Sequence, residues 1–194
     1  MKRTIFLDKD GTLIRNVPYN VDPELVELLP GVGAGLRALQ TAGYGLVVIT
    51  NQSGIALGYF TEVELLRAMR RLWALLAAED IYPMASYYCP HAVEGTVAPY
   101  AHICTCRKPQ PGLLLRAARD LEIPLDESWM VGDILNDVEA GRRAGCRTVL
   151  LDNGNETERV MNQWRKPDHI VFDVPAAAEV ILHKKIYHVS TSLL

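Results

Sequence analysis

Short apolar runs that break abruptly into acidic, amide or hydroxyl residues recur along this chain, and they restrict its fold more than any other feature. Thr4-Ile5-Phe6-Leu7 runs into Asp8, Leu46-Val47-Val48-Ile49 into Thr50-Asn51-Gln52, and Trp129-Met130-Val131 into Gly132-Asp133. Such runs are too short for helices and show no polar alternation, so they read as strands buried on both faces. Between them lie segments of helical period. Residues 32–42 stop at Gly43, and a long helix to about residue 79 opens with Thr61 as N-cap and Glu64 completing a capping box. Further strands are expected at 85–88, 148–151 and 170–172, with helices at 112–121, 135–144 and 175–184. Strands alternating with helices specify an α/β fold built on a doubly wound parallel sheet. Ligands bind such sheets beyond the carboxyl ends of the strands, where the polar breaks fall.

With 194 residues, the whole span 1–194 is expected to form one domain, with a loop at about 89–106 and a tail at about 185–194. The net charge of −3 argues against nucleic acid as a partner, because a binding face for it needs a basic excess. The first eight residues hold only a four-residue apolar run before an acid, unlike a signal peptide. No run approaches the ~18 apolar residues of a membrane span, so no membrane partner is expected. The expected compartment is the cytoplasm, the expected state a monomer, and the expected partner a small phosphorylated metabolite.

Asp8-Lys9-Asp10-Gly11-Thr12-Leu13 sets two carboxylates one residue apart, just past a buried strand. Like charges that close are costly unless a cation lies between them, and magnesium prefers such hard oxygen ligands. An aspartate can attack phosphorus to form an aspartyl-phosphate, and a second can protonate the leaving alcohol and later activate water. The competing reading is a solvated strand-to-turn junction, where Asp and Gly are common.

The other concentrated signal is Cys89-Pro90-His91, then twelve residues, then Cys104-Thr105-Cys106, which brings three of the four cysteines and a histidine into one irregular stretch. Three thiolates and an imidazole suit a closed tetrahedral zinc site that is structural, since four protein ligands leave no open position for catalysis. Cys146, in Ala-Gly-Cys-Arg, reads as a small core residue. Zinc held by Cys89, His91, Cys104 and Cys106 would pin the loop that ends in Arg107-Lys108.

The segment DKDGTL after an N-terminal strand resembles the first motif of the haloacid dehalogenase superfamily, and three further pieces follow in order: VVITNQSG, CRKPQPG and MVGDILND. The resemblance covers roughly residues 3–152 and implies a Rossmann-like fold. By it, Asp8 is the nucleophile, Asp10 the acid and base, Thr50 the holder of a phosphoryl oxygen, and Lys108 the neutralising cation. Magnesium would be held by Asp8, by Asp10 through its backbone carbonyl, and by Asp133. Asp137 would stand behind them; if Asp133 opens a helix, the two acids lie on one of its faces.

FLDKDGTL, ELLPGV, TNQSGIALGYF, CPH, CTCRKPQPG and VGDILND together resemble the heptose bisphosphate phosphatases and their relatives, the histidinol-phosphate phosphatases. That group has no large cap domain. The resemblance implies removal of the 7-phosphate from D-glycero-D-manno-heptose 1,7-bisphosphate, with Asn51, Gln52, Ser53, Arg107 and Lys108 binding substrate and loop 16–20 closing over the sugar. Heptose phosphatases usually carry Lys where this chain has Ile134 and Arg where it has Leu57, so two contacts to a second phosphate are missing. Histidinol phosphate is therefore the alternative substrate, and a catalytically silent binding protein the alternative from another class.

Overall fold

The computed structural model describes residues 2–158 and 160–182. Six parallel strands form one sheet in the order β3-β2-β1-β4-β5-β6. They are β1 (Thr4–Leu7), β2 (Gly45–Asn51), β3 (Ala85–Cys89), β4 (Trp129–Gly132), β5 (Arg147–Leu151) and β6 (His169–Val171). The helices are α1 (Val32–Thr41), α2 (Gly54–Leu57), α3 (Glu62–Ala77), α4 (Gly112–Leu121), α5 (Leu135–Ala144) and α6 (Val174–Leu182).

Side chains along a strand alternate between sheet faces, and the burial of β1 shows both faces covered. Ile5 and Leu7 pack with Leu46, Val48, Val131 and Val149 against Leu36 of α1, Leu72 of α3 and Ala177 of α6. Phe6 packs on the other side with Val47, Ile49 and Met130 against Leu113 and Ala117 of α4 and Ala140 of α5. A helix layer on each face thus explains the unbroken apolar runs.

The chain adds β2 and β3 on one side of β1, then crosses to β4, β5 and β6 on the other. That reversal opens a crevice beyond the carboxyl end of β1, between its neighbours β2 and β4. Register fixes what enters it. Phe6 pairs with Val47 and Met130, so Asp8, Thr50 and Asp133 emerge from three adjacent strands at one sheet end. Asp8 is tied across by its N–H, which donates to the Val131 carbonyl at 3.0 Å.

The expected elements form, with small shifts. The last strand begins at His169 rather than 170, and α6 at Val174 rather than 175. The helical turn Gly54–Leu57 was not expected; at four residues it is too short for a periodic signal. The expected tail lies outside the described residues. Among those described, no helix is long and apolar enough to cross a membrane.

The capping box at α3 is complete. The Thr61 hydroxyl accepts from the Glu64 N–H at 3.3 Å, and the Glu64 carboxylate accepts from the Thr61 N–H at 2.7 Å. Thr61→Ala should lower stability by about 1 kcal/mol, read from urea unfolding, with site chemistry unchanged.

Candidate active site and metal centre

Each acid of the site is placed by a turn that only certain residues allow. Gly11, directly after Asp10, has φ of +82°, a left-handed conformation that glycine adopts without strain. A Cβ there would also lie 2.0 Å from Asp133 Oδ2, so the β1 loop presses its bare backbone against the acid from β4. Gly132 plays the same part beneath Asp137, whose carboxylate a Cβ would meet at 2.3 Å.

Lys108 reaches this cluster from the loop before α4. Its Nζ lies 2.6 Å from Asp8 Oδ1 and 2.5 Å from Asp137 Oδ1, and it donates to the Ile49 carbonyl at 3.1 Å. The side chain is 2% exposed, so the ammonium is held by protein rather than water. Its backbone is fixed by Asn51: the amide accepts from the Lys108 N–H and donates to the Lys108 carbonyl, both at 3.0 Å. Burial alone would pull the Lys108 pKa down, but Asp137 and Asp8 together outweigh it and hold it above the ordinary lysine value.

Asp10 lies beside Asp8 with its own partners. Lys9, itself buried, donates to Asp10 Oδ1 at 2.8 Å, and Gln52 donates to Oδ2 at 3.1 Å. The same Gln52 amide donates to Thr50 Oγ1 at 2.9 Å. Desolvation raises the Asp10 pKa, with Lys9 opposing and Asp8 adding to the rise. A carboxyl whose pKa is raised in this way gains in fitness for the role of a general acid.

Asp8, Asp133 and Asp137 offer carboxylate oxygens that all lie within 4.8 Å of one another. Burial first, and then the neighbouring Asp8 charge, pushes Asp133 up; in Asp137 burial outweighs Lys108 and also raises the pKa. Together with Asp10 there are four acids against the ammoniums of Lys9 and Lys108, so two negative charges lack a partner when all four acids are ionised. Asp137 Oδ1 is buried and accepts no aligned hydrogen bond. Clustered hard oxygen donors and more acids than ammoniums fit a divalent cation such as Mg²⁺.

One expectation changes in form. Asp133 does not open the helix; it sits in the turn after β4, and α5 starts at Leu135 after an extended Ile134. Asp133 and Asp137 therefore share no helix face. They converge because Asp137 folds back from the first turn of α5, its Oδ2 accepting the Ile134 N–H at 3.3 Å. Asp137 lies in one cluster with Asp8 and Asp133.

Beside the acids lies a cavity of about 340 Å³ lined by Asn16, Val17, Pro18, Tyr19 and Asn20 on one side and Asn51, Gln52, Ser53 and Phe60 on the other, with Asp10 between. Tyr19 meets Tyr59 edge to face, ring centres 4.7 Å apart. Neither Leu57 nor Ile134 lines it, and Arg107 points elsewhere, its guanidinium donating to the His91 carbonyl at 3.3 Å.

The second cluster forms where β3 ends. Cys106 Sγ lies 3.1 Å from Cys89 Sγ, 3.3 Å from Cys104 Sγ and 3.2 Å from His91 Nδ1, and Cys89 lies 3.6 Å from both Cys104 and His91. A tetrahedral zinc with Zn–S of about 2.3 Å needs sulfur–sulfur edges of about 3.8 Å, so these side chains occupy a slightly contracted version of that tetrahedron. All four cysteines are free thiols. The Arg107 N–H donates to Cys104 Sγ at 3.4 Å, joining the cluster to the segment that carries Lys108.

Residues 105–177 match the family model described as HAD-hydrolase-like. A relative from Pasteurella multocida, named D-glycero-beta-D-manno-heptose-1,7-bisphosphate 7-phosphatase, is 42% identical over 155 residues, covering 79% of this chain and 84% of the relative. The chain belongs to the haloacid dehalogenase-like phosphatases. Two solved structures share the fold of this family member. A HAD-like phosphatase from Mesorhizobium loti superposes with a TM-score of 0.80 at 32% identity, over 93% of this chain and 87% of that one. The D,D-heptose 1,7-bisphosphate phosphatase from B. bronchiseptica, complexed with magnesium and phosphate, gives 0.75 at 29% identity, over 93% and 98%.

Two outcomes follow for this phosphatase-family chain. Because burial and mutual repulsion raise Asp133 and Asp137, part of the cluster is protonated near neutrality and Mg²⁺ must displace protons. Mg²⁺ affinity should then rise with pH between about 6 and 8, and calorimetry in buffers of different ionisation enthalpy should show proton release. Cys104→Ser should lower zinc below one per chain. If the cluster contributes about 3 kcal/mol to folding, the melting temperature should fall by about 6–12 °C in thermal unfolding.

Proposed function

We propose that this chain is a Mg²⁺-dependent phosphomonoesterase that works through an aspartyl-phosphate on Asp8 and removes the 7-phosphate of D-glycero-D-manno-heptose 1,7-bisphosphate. The observation that carries the reading is the Asp8 carboxylate, buried, paired with Lys108 at 2.6 Å and clustered with Asp133 and Asp137, beside the amide-rich cavity. The names of its relatives supply the sugar.

In this reading an Asp8 oxygen attacks phosphorus, and the bond to the substrate oxygen breaks as Asp10 gives that oxygen its proton. Asp10, now a carboxylate, takes a proton from water, whose oxygen attacks the aspartyl-phosphate and frees Asp8 and inorganic phosphate. Thr50 holds a phosphoryl oxygen with its hydroxyl, and Lys108 balances charge on the phosphoryl group. Phosphoryl transfer depends mainly on such positioning and charge neutralisation. Mg²⁺, when bound by Asp8, Asp133 and the Asp10 carbonyl with Asp137 close by, offsets charge on nucleophile and phosphate. Asn16, Asn20, Asn51 and Ser53 offer amides and a hydroxyl to sugar hydroxyls. Zinc at Cys89, His91, Cys104 and Cys106 would hold the loop that delivers Lys108. The four free thiols fit a cytoplasmic enzyme.

A second reading has one observation in its favour: no Lys or Arg is among the residues lining the cavity, so a second phosphate finds no cationic side chain there. Histidinol phosphate needs none. The deciding measurement is phosphate release from both anomers of heptose 1,7-bisphosphate and from histidinol phosphate, with and without Mg²⁺. Asp8→Asn should lose at least about 10³-fold in kcat. Normal turnover by that variant would sink the reading, and preference for histidinol phosphate would move the substrate to the second class.

A further inference from the structure

The loop after β5 sends three side chains to the segments that carry the acidic cluster. Asn153 Nδ2 donates to the Gly11 carbonyl at 2.8 Å, on the β1 loop just beyond Asp10. Asn155 Nδ2 donates to Asp133 Oδ2 at 2.8 Å. Glu156 accepts the backbone N–H of Leu135, the first residue of α5. The loop is braced internally, because the Asn155 N–H donates to Asn153 Oδ1 at 3.3 Å and the Glu158 N–H to Glu156 Oε1 at 2.6 Å. None of these residues lies in a motif read from the sequence.

The contact at Asp133 is closely packed. Its Oδ1 accepts from the Thr12 hydroxyl at 3.3 Å, so both oxygens are engaged. A Cβ on Gly11 would lie 2.0 Å from Asp133 Oδ2 and 2.5 Å from Asn155 Nδ2, which puts the pair directly against the Gly11 backbone. The donor type matters. A Lys or Arg at position 155 would neutralise Asp133 and compete with a bound cation, whereas a neutral amide fixes the carboxylate and leaves its charge available.

We propose that Asn155 is a positioning residue for the divalent cation, holding the Asp133 carboxylate in the orientation that lets it share one ion with Asp8. The proposal rests on Asp133 being a cation ligand in the reading above. Asn153 supports it by tying the Asn155 loop to the β1 loop, on which Asp8 and Asp10 stand. Hydrogen-bond partners of metal ligands commonly change metal affinity by 10–100-fold when removed.

The test is Mg²⁺ binding to the full chain by calorimetry, for the natural protein, Asn155→Ala and Asn155→Leu. The leucine keeps the branched outline of asparagine, with more volume, and lacks its donor, whereas the alanine removes donor and bulk together. Both variants should bind Mg²⁺ roughly 10–100-fold more weakly. Zinc content and far-UV circular dichroism should be unchanged, and at saturating Mg²⁺ the KM for a phosphate ester should match that of the natural protein. Natural Mg²⁺ affinity in both variants overturns the proposal. So does a loss of affinity accompanied by lost zinc or altered dichroism in both, which marks Asn155 as a packing residue. Because binding is read without substrate, absence of Asp8-dependent phosphate release would sink the phosphatase reading and leave the role of Asn155 to be judged on calorimetry alone.

Discussion

A lysine ammonium buried between two aspartates organises this molecule. Lys108 bridges Asp8 from the central strand and Asp137 from α5, and removing one partner from such a pair leaves an uncompensated charge, at a cost of about 3–5 kcal/mol. Much nearby structure keeps the ammonium in place. Asn51, at the end of β2, grips the Lys108 backbone through both amide groups, and the Ile49 carbonyl takes one of its hydrogens. The Cys/His cluster anchors the preceding loop through the Arg107 N–H.

That bridge neutralises only part of the charge gathered there. The remaining acids meet the Lys9 ammonium at Asp10 and neutral donors, the Thr12 hydroxyl and the Asn155 amide, at Asp133, and the bare backbone at Gly11 and Gly132 leaves room for them. Burial first, and then the neighbouring carboxylates, raises the pKa of Asp133 and of Asp137, and a bound cation would relieve the same crowding of charge. Stability at this end of the sheet and readiness for phosphate chemistry are thus two aspects of one charge imbalance.

Legibility from the sequence followed the range of the interactions. The strand runs, the α3 capping box and the Cys/His spacing are local patterns, set by side-chain period or by the chemistry of a few neighbours, and they stand in the structure where they were read. The helix at 135–144 forms as expected, but Asp133 does not open it, because Ile134 is extended, so the two acids meet through the fold of Asp137 and not through a shared helix face. Asn153, Asn155 and Glu156 gave no signal, since an Asn-Gly-Asn segment after a strand reads as an ordinary turn. Asn51 and Gln52 were read as facing substrate, yet their amides also have internal partners in Lys108, Asp10 and Thr50.

By itself the sequence determined the fold class and the family and singled out candidate reactive groups, because those depend on residue type and on spacing within a dozen or so positions. The tertiary structure decided which carboxylate oxygens gather in one cluster, which ammoniums meet them and what shapes the cavity beside Asp10. Those depend on contacts between residues a hundred positions apart, such as Lys108 with Asp8 and Asn153 with Gly11, and on strand register, which no local pattern encodes.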